Sequence, residues 1–69
     1  MSDYLVVIEG SRGSYSAFAP DLPGCVAAGE TTEEVERLMG EAIPLHIESL
    51  RAHGETVPEP QSEARYVAV

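Results

Sequence analysis

Apolar residues come in blocks along this chain, and each block has its own period. Tyr4, Leu5, Val6, Val7 and Ile8 form an unbroken aromatic and β-branched run, followed by Glu9-Gly10-Ser11-Arg12-Gly13 as turn material. Over residues 14–19, Tyr15, Ala17 and Ala19 alternate with Ser16 and Phe18. A period of two marks a strand, so the two runs predict a hairpin closed by a glycine-containing loop. Pro20 ends the second strand, because proline has no N–H to give to a ladder. Residues 25–28 predict a short third strand, closed by Gly29.

The period then changes to that of a helix. Val35, Met39, Ala42, Ile43, His46 and Leu50 fall on one face, which Leu38, Leu45 and Ile47 widen. Thr31 and Glu34 fit a capping box, and Glu33, Glu34 and Glu36 sit at the positive end of the helix dipole. Gly54 is a natural left-handed terminator, so the spacing predicts a helix over residues 32–53. Pro44 opposes this. It deletes the bond to the Gly40 carbonyl and presses its ring on that turn, at about 3 kcal/mol. The apolar face continues past it, which predicts one kinked helix rather than two. Val57-Pro58-Glu59-Pro60-Gln61-Ser62 reads as loop and residues 64–69 as a last strand.

These elements predict an α+β fold, β-β-β-α-β, in one domain over residues 1–69. A single mixed sheet carries one helix packed on one face. A right-handed return lays the fourth strand parallel to the first, giving the order 3-2-1-4. Both outer strands keep a free edge, and free edges invite a second chain. A homodimer or higher homo-oligomer through one edge is therefore expected.

Composition narrows the function. With 43% hydrophobic residues the chain can build a core, but a chain this short gains only about 3–5 kcal/mol from it. The formal net charge is −8, with no lysine and four arginines: Arg12, Arg37, Arg51 and Arg65. They do not cluster, so direct nucleic-acid binding is not expected. An acidic surface suits a basic partner, although charge also serves simple solubility. Cys25 is the single cysteine, so neither an internal disulfide nor a cysteine metal site is available. Nothing resembles a signal peptide or membrane span, and a cytoplasmic location with no membrane partner is expected.

Residues that could carry chemistry have simpler readings. His46 lies mid-stripe without an orienting partner, as a packed or subunit-facing histidine would. His53 suits the negative end of the helix. Cys25 precedes a helix start crowded with carboxylates, which opposes a thiolate. Asp21, Glu9, Glu30, Glu33 and Glu34 could suggest a metal set, yet the last strand offers no carboxylate and the glutamates have a capping role. Gly10-Ser11-Arg12-Gly13 lacks the lysine and the strand-loop-helix setting of a phosphate loop. No catalytic residue, metal or cofactor is expected, and the chain reads as a non-enzyme.

Tyr4-Leu5-Val6-Val7-Ile8-Glu9, then Tyr15 through the turn Pro20-Asp21-Leu22-Pro23-Gly24-Cys25, then Ala28-Gly29-Glu30-Thr31-Thr32-Glu33-Glu34, a helix and a Pro58-Glu59-Pro60 loop together resemble the HicB antitoxin family. The resemblance covers nearly the whole chain in order. It implies a partial RNase H-like fold whose nuclease chemistry is lost. It also implies a partner, a small basic ribonuclease toxin of the HicA type, neutralised by masking its RNA-binding or catalytic surface. Many family members also carry a C-terminal DNA-binding domain, and a protein lacking that part is expected here. Asp21, Glu30, Glu33 and Glu34 are the expected phosphate mimics, with Phe18, Leu22 and Pro23 as apolar anchors. The alternative is a stand-alone homo-oligomeric scaffold or small-ligand binding module with no toxin partner.

Overall fold

The computed structural model describes residues 3–69. Its first two strands, β1 (Val7–Ser11) and β2 (Ser14–Phe18), pair antiparallel from Val7↔Phe18 to Ser11↔Ser14, leaving Arg12-Gly13 as the whole turn. Gly13 takes φ 81°, a value that side chains resist. Gly10 is fixed by a different constraint: a Cβ there would strike the Ser14 carbonyl oxygen and lie 2.9 Å from Tyr15 Cα.

The first strand begins later than its apolar run predicts, and Pro20 explains why. In this register Val6 would face Ala19. The Ala19 N–H instead donates to the Cys25 carbonyl at 3.2 Å, closing the turn that follows β2. No strand lies opposite residues 4–6, although Tyr4 and Val6 still pack against the core. The ladder gains Glu9, Gly10 and Ser11 at its other end.

β3 (Val26–Gly29) pairs antiparallel with β2, so the sheet runs β1-β2-β3. The expected fourth strand is not formed. Residues 64–69 are irregular and exposed, and the sheet is wholly antiparallel rather than mixed. The chain leading into this segment is held at Asp21, and the segment itself pairs with no strand among the described residues.

A single helix, α1 (Thr32–Ala52), runs unbroken through Pro44. Gly40 and Pro44 are both exposed, so the lost bond lies on the solvent side, where the carbonyl is open to hydration. The helix ends in a Schellman motif: Glu55 N–H donates to the Leu50 carbonyl at 2.9 Å and Gly54 N–H to the Arg51 carbonyl at 3.1 Å, with Gly54 at φ 69°. Its 21 residues span about 31 Å, against about 17 Å for a five-residue strand. The C-terminal half therefore overhangs the sheet and packs on Tyr4.

Ala17, Ala19, Leu22, Cys25, Val35 and Met39 form the core between sheet and helix. Ala17 faces Ile8 on one side and Ala27 on the other, so this row of the sheet points toward α1. The neighbouring row, Val7, Phe18 and Val26, must point away.

Candidate partner-binding surface

The segment after β2 is two β-turns in series. Leu22 N–H donates to the Ala19 carbonyl and Cys25 N–H to the Leu22 carbonyl, each at 3.0 Å. Pro20 and Pro23 both occupy the second turn position, where their fixed φ is already correct. Gly24 follows Pro23 with φ 85°, as a type II turn requires. Leu22 sits where the two turns meet and has no exposed surface. It is a core residue, which corrects its assignment as a contact anchor. Pro23 is exposed and Phe18 half-buried.

Asp21 is committed within the chain. Its Oδ2 accepts from the N–H groups of Gln61 and Ser62 at 3.0 Å each, and its Oδ1 accepts from Ser62 Oγ at 2.8 Å. The Ser62 amide is the largest cause holding its carboxyl below the usual range, with the Ser62 hydroxyl and Gln61 amide adding to it. A phosphate mimic needs free oxygens, and these are occupied by the chain's own donors.

The other carboxylates stand at the opposite end of β3, about 13 Å away at 3.3 Å per residue. Thr31 caps α1, its Oγ1 accepting from Glu34 N–H at 3.0 Å. Glu34 Oε1 reaches back to the N–H of Glu30 at 2.9 Å, one residue beyond the amide that a capping box uses. Gly29 permits this, because a Cβ there would strike Glu34 Oε1. Glu33 Oε1 accepts from Thr32 Oγ1 at 3.1 Å. Glu30 and Glu33 remain exposed and Glu34 is half-buried. The helix start thus presents carboxylates at its positive end with no ion-pair partner among the described residues.

Between these ends lies a face the sequence reading missed. Val7, Phe18 and Val26 form a continuous apolar row on the side of the sheet away from α1, and Val26 is 65% exposed. Glu9, Ser16 and Ala28 form the next row of that face. The signal was present in the alternation Val7-Glu9 and Val26-Ala28. It was hidden because residues 4–8 read as one uniform run.

His46 is half-buried, and a methyl on Gly24 would lie 3.8 Å from its Cε1, so it packs against the double turn. Cys25 is buried, and loss of solvation pushes its thiol pKa up, the reverse of an activated nucleophile. Among the described residues no group of three or more His, Cys, Asp and Glu side chains could hold a metal ion. No helix is long and apolar enough to cross a membrane. An open groove of about 640 Å³ runs beneath the overhanging helix, lined by Tyr4, Ile43, Pro44, Ile47, Arg51 and Val57, with Glu48 beside Arg51.

The family described as "HicB_like antitoxin of bacterial toxin-antitoxin system" matches over residues 4–68. A UPF0150 protein of Synechocystis sp. is 45% identical over 58 residues, which is 83% of this chain and 73% of that protein. A UPF0150 protein of Thermoplasma acidophilum is 36% identical over 59 residues, 86% of each chain. A 14.9 kDa protein from the rep-hol intergenic region of Haemophilus phage HP1 is 34% identical over 64 residues, 93% of this chain but 48% of its own length. No solved structure matches.

Proposed function

Since the chain belongs to the HicB-like antitoxin family of bacterial toxin-antitoxin systems, we propose that it binds and neutralises a small basic ribonuclease toxin of the HicA type by occlusion, without catalysis of its own. The observation carrying this reading is the helix start. Glu30 and Glu33 are exposed, lie at a positive dipole end and form no ion pair among the described residues, in a chain of net charge −8 without lysine. Such a surface attracts a basic face built for RNA and repels RNA itself. Phe18, Val26 and Pro23 supply apolar contact further along β3. A partner laid along that strand covers both ends within a standard interface of about 800 Å² per side. Asp21 serves this surface indirectly, by fixing the turn that carries Pro23. The pair acts in the cytoplasm, and any operator binding belongs to another subunit or domain.

The test is co-expression with the small reading frame adjacent to this gene. A co-purifying complex and relief of growth arrest are expected. Replacing Glu30 and Glu33 together by Gln removes two rim charges of about 0.5 kcal/mol each, which weakens binding roughly fivefold and flattens its salt dependence. Glu59→Gln, on the loop after α1, serves as control and leaves affinity unchanged. No complex, or one indifferent to both salt and the double substitution, defeats the reading.

The groove under α1 favours a second reading. Its apolar floor with Tyr4, Glu48 and Arg51 at hand has the build of a small-ligand site, as a stand-alone module without a toxin would carry. A partner-free protein retaining a small molecule through purification supports that alternative.

A further inference from the structure

We infer that residues 64–69 form a strand only between molecules, adding to the free β1 edge of a second copy while that copy's tail returns the exchange. The tail carries the pattern of a strand but not its contacts. Tyr66 and Val69 are fully exposed and Val67 is 79% exposed. On its outer side β1 pairs with nothing among the described residues. A chain of this length packs to a radius of gyration of about 11 Å. Here it is 13.1 Å, with a longest extent of 40 Å, as an unpacked tail and an overhanging helix produce.

The root of the tail explains why it does not fold back. Asp21 holds the amides of Gln61 and Ser62, and the Tyr4 hydroxyl donates to the Pro58 carbonyl. Pro58 and Pro60 stiffen the stretch between. Only Glu63 separates the clasp from the strand-like residues, and one residue is a poor hinge for reversing direction. Short, constrained hinges favour exchange of an element over closure. Tyr4 lies three residues before β1, so its bond holds Pro58, just ahead of the clasp, near the start of that strand. Two copies meeting along these edges place each tail beside the other's β1. Seven residues from Glu63 reach about 23 Å, enough for the 17 Å of β1.

The edge carries little to prevent this. Of its residues only Glu9 is charged, and neither lysine nor proline guards it. The tail brings Arg65, whose present contact with Glu63 is an exposed pair at 3.5 Å, readily given up for Glu9 of the second copy.

Sedimentation equilibrium at tens of micromolar tests this. The protein sediments as a dimer, and Val67→Pro, which removes a backbone N–H at a residue whose side chain is exposed in the single chain, sediments as a monomer that keeps the far-UV helical signal of α1. A mixture of ¹³C-labelled and unlabelled protein gives NOEs between Val67 or Val69 methyls and β1 protons across the label boundary. A monomer, a dimer indifferent to Val67→Pro, or NOEs confined within one chain overturns the inference. None of these outcomes depends on whether a toxin is bound.

Discussion

Ser62 donates both its backbone N–H, at 3.0 Å, and its hydroxyl, at 2.8 Å, to the Asp21 carboxylate across 41 residues of sequence. One acidic side chain thereby ties the double turn to the segment that follows the helix. These donors favour the ionised form, so the folded-state pKa lies below the unfolded one. The stabilisation is full above the unfolded value of about 3.9 and disappears as pH falls through the lower folded value. Denaturant unfolding of the native protein and Asp21→Asn checks this. The native protein is the more stable at pH 7, and the difference shrinks below pH 4. A gap that persists unchanged to pH 2 removes the carboxylate from the account.

The Thr31 cap is a second local device with a known scale. Thr31→Ala leaves the Glu34 amide without its acceptor and costs about 1 kcal/mol, or about 4–8 °C in Tm for a domain this small. Thr31→Ser retains the oxygen and most of the stability. Thermal unfolding of the two variants separates capping from side-chain packing, since an equal loss in both excludes the hydrogen bond as the cause.

The capping residue, the Gly54 terminator and a proline-bounded turn over residues 20–25 were legible because each is a local device with its own residue chemistry, although the division of that turn into two was not. Thr31, Gly54, Pro20 and Pro23 act through their own neighbours in sequence. The fourth strand was not legible. Residues 64–69 carry strand propensity, but propensity does not name a partner, and the clasp at Asp21 that directs them away acts across 40 residues. The same long-range bonds took Asp21 out of the expected set of phosphate mimics. Leu22 shared a short motif with exposed Pro23, and only the turn geometry sends its side chain inward. The acidic helix start was readable in Glu30 and Glu33. The Val7-Phe18-Val26 row was not, because register decides which face each residue takes.

Two glycines, one inside α1 and one in a turn, behave oppositely on substitution. Gly40 lies in an exposed helix interior, and a Cβ there meets nothing within 4 Å. Gly40→Ala therefore stabilises by about 0.5–1 kcal/mol through reduced backbone freedom in the unfolded chain. Gly24 holds φ 85°, and Gly24→Ala forces a side chain into the left-handed region at about 1–2 kcal/mol. Chemical denaturation of the pair checks both signs. A destabilised Gly40→Ala indicates that the turn facing Pro44 needs the extra backbone freedom.

Cys25 closes the second turn just before β3 with 3% of its surface exposed, and burial raises its thiol pKa. Two consequences follow from that one cause. The thiol reacts with a disulfide reagent at pH 8 only as fast as the chain opens, so labelling tracks unfolding and accelerates with denaturant. Burial also makes the folded state lose stability in alkali. Below the unfolded thiol pKa of about 8.5 both states hold the proton and the stabilisation is intact. Above it the unfolded chain ionises first, and stability declines until the raised folded value is passed. Cys25→Ala abolishes the labelling and lessens the decline between pH 8 and 10, although it lowers stability at pH 7 by leaving a small void. Fast stoichiometric labelling of the folded protein shows an accessible thiolate and defeats the packed reading of this residue.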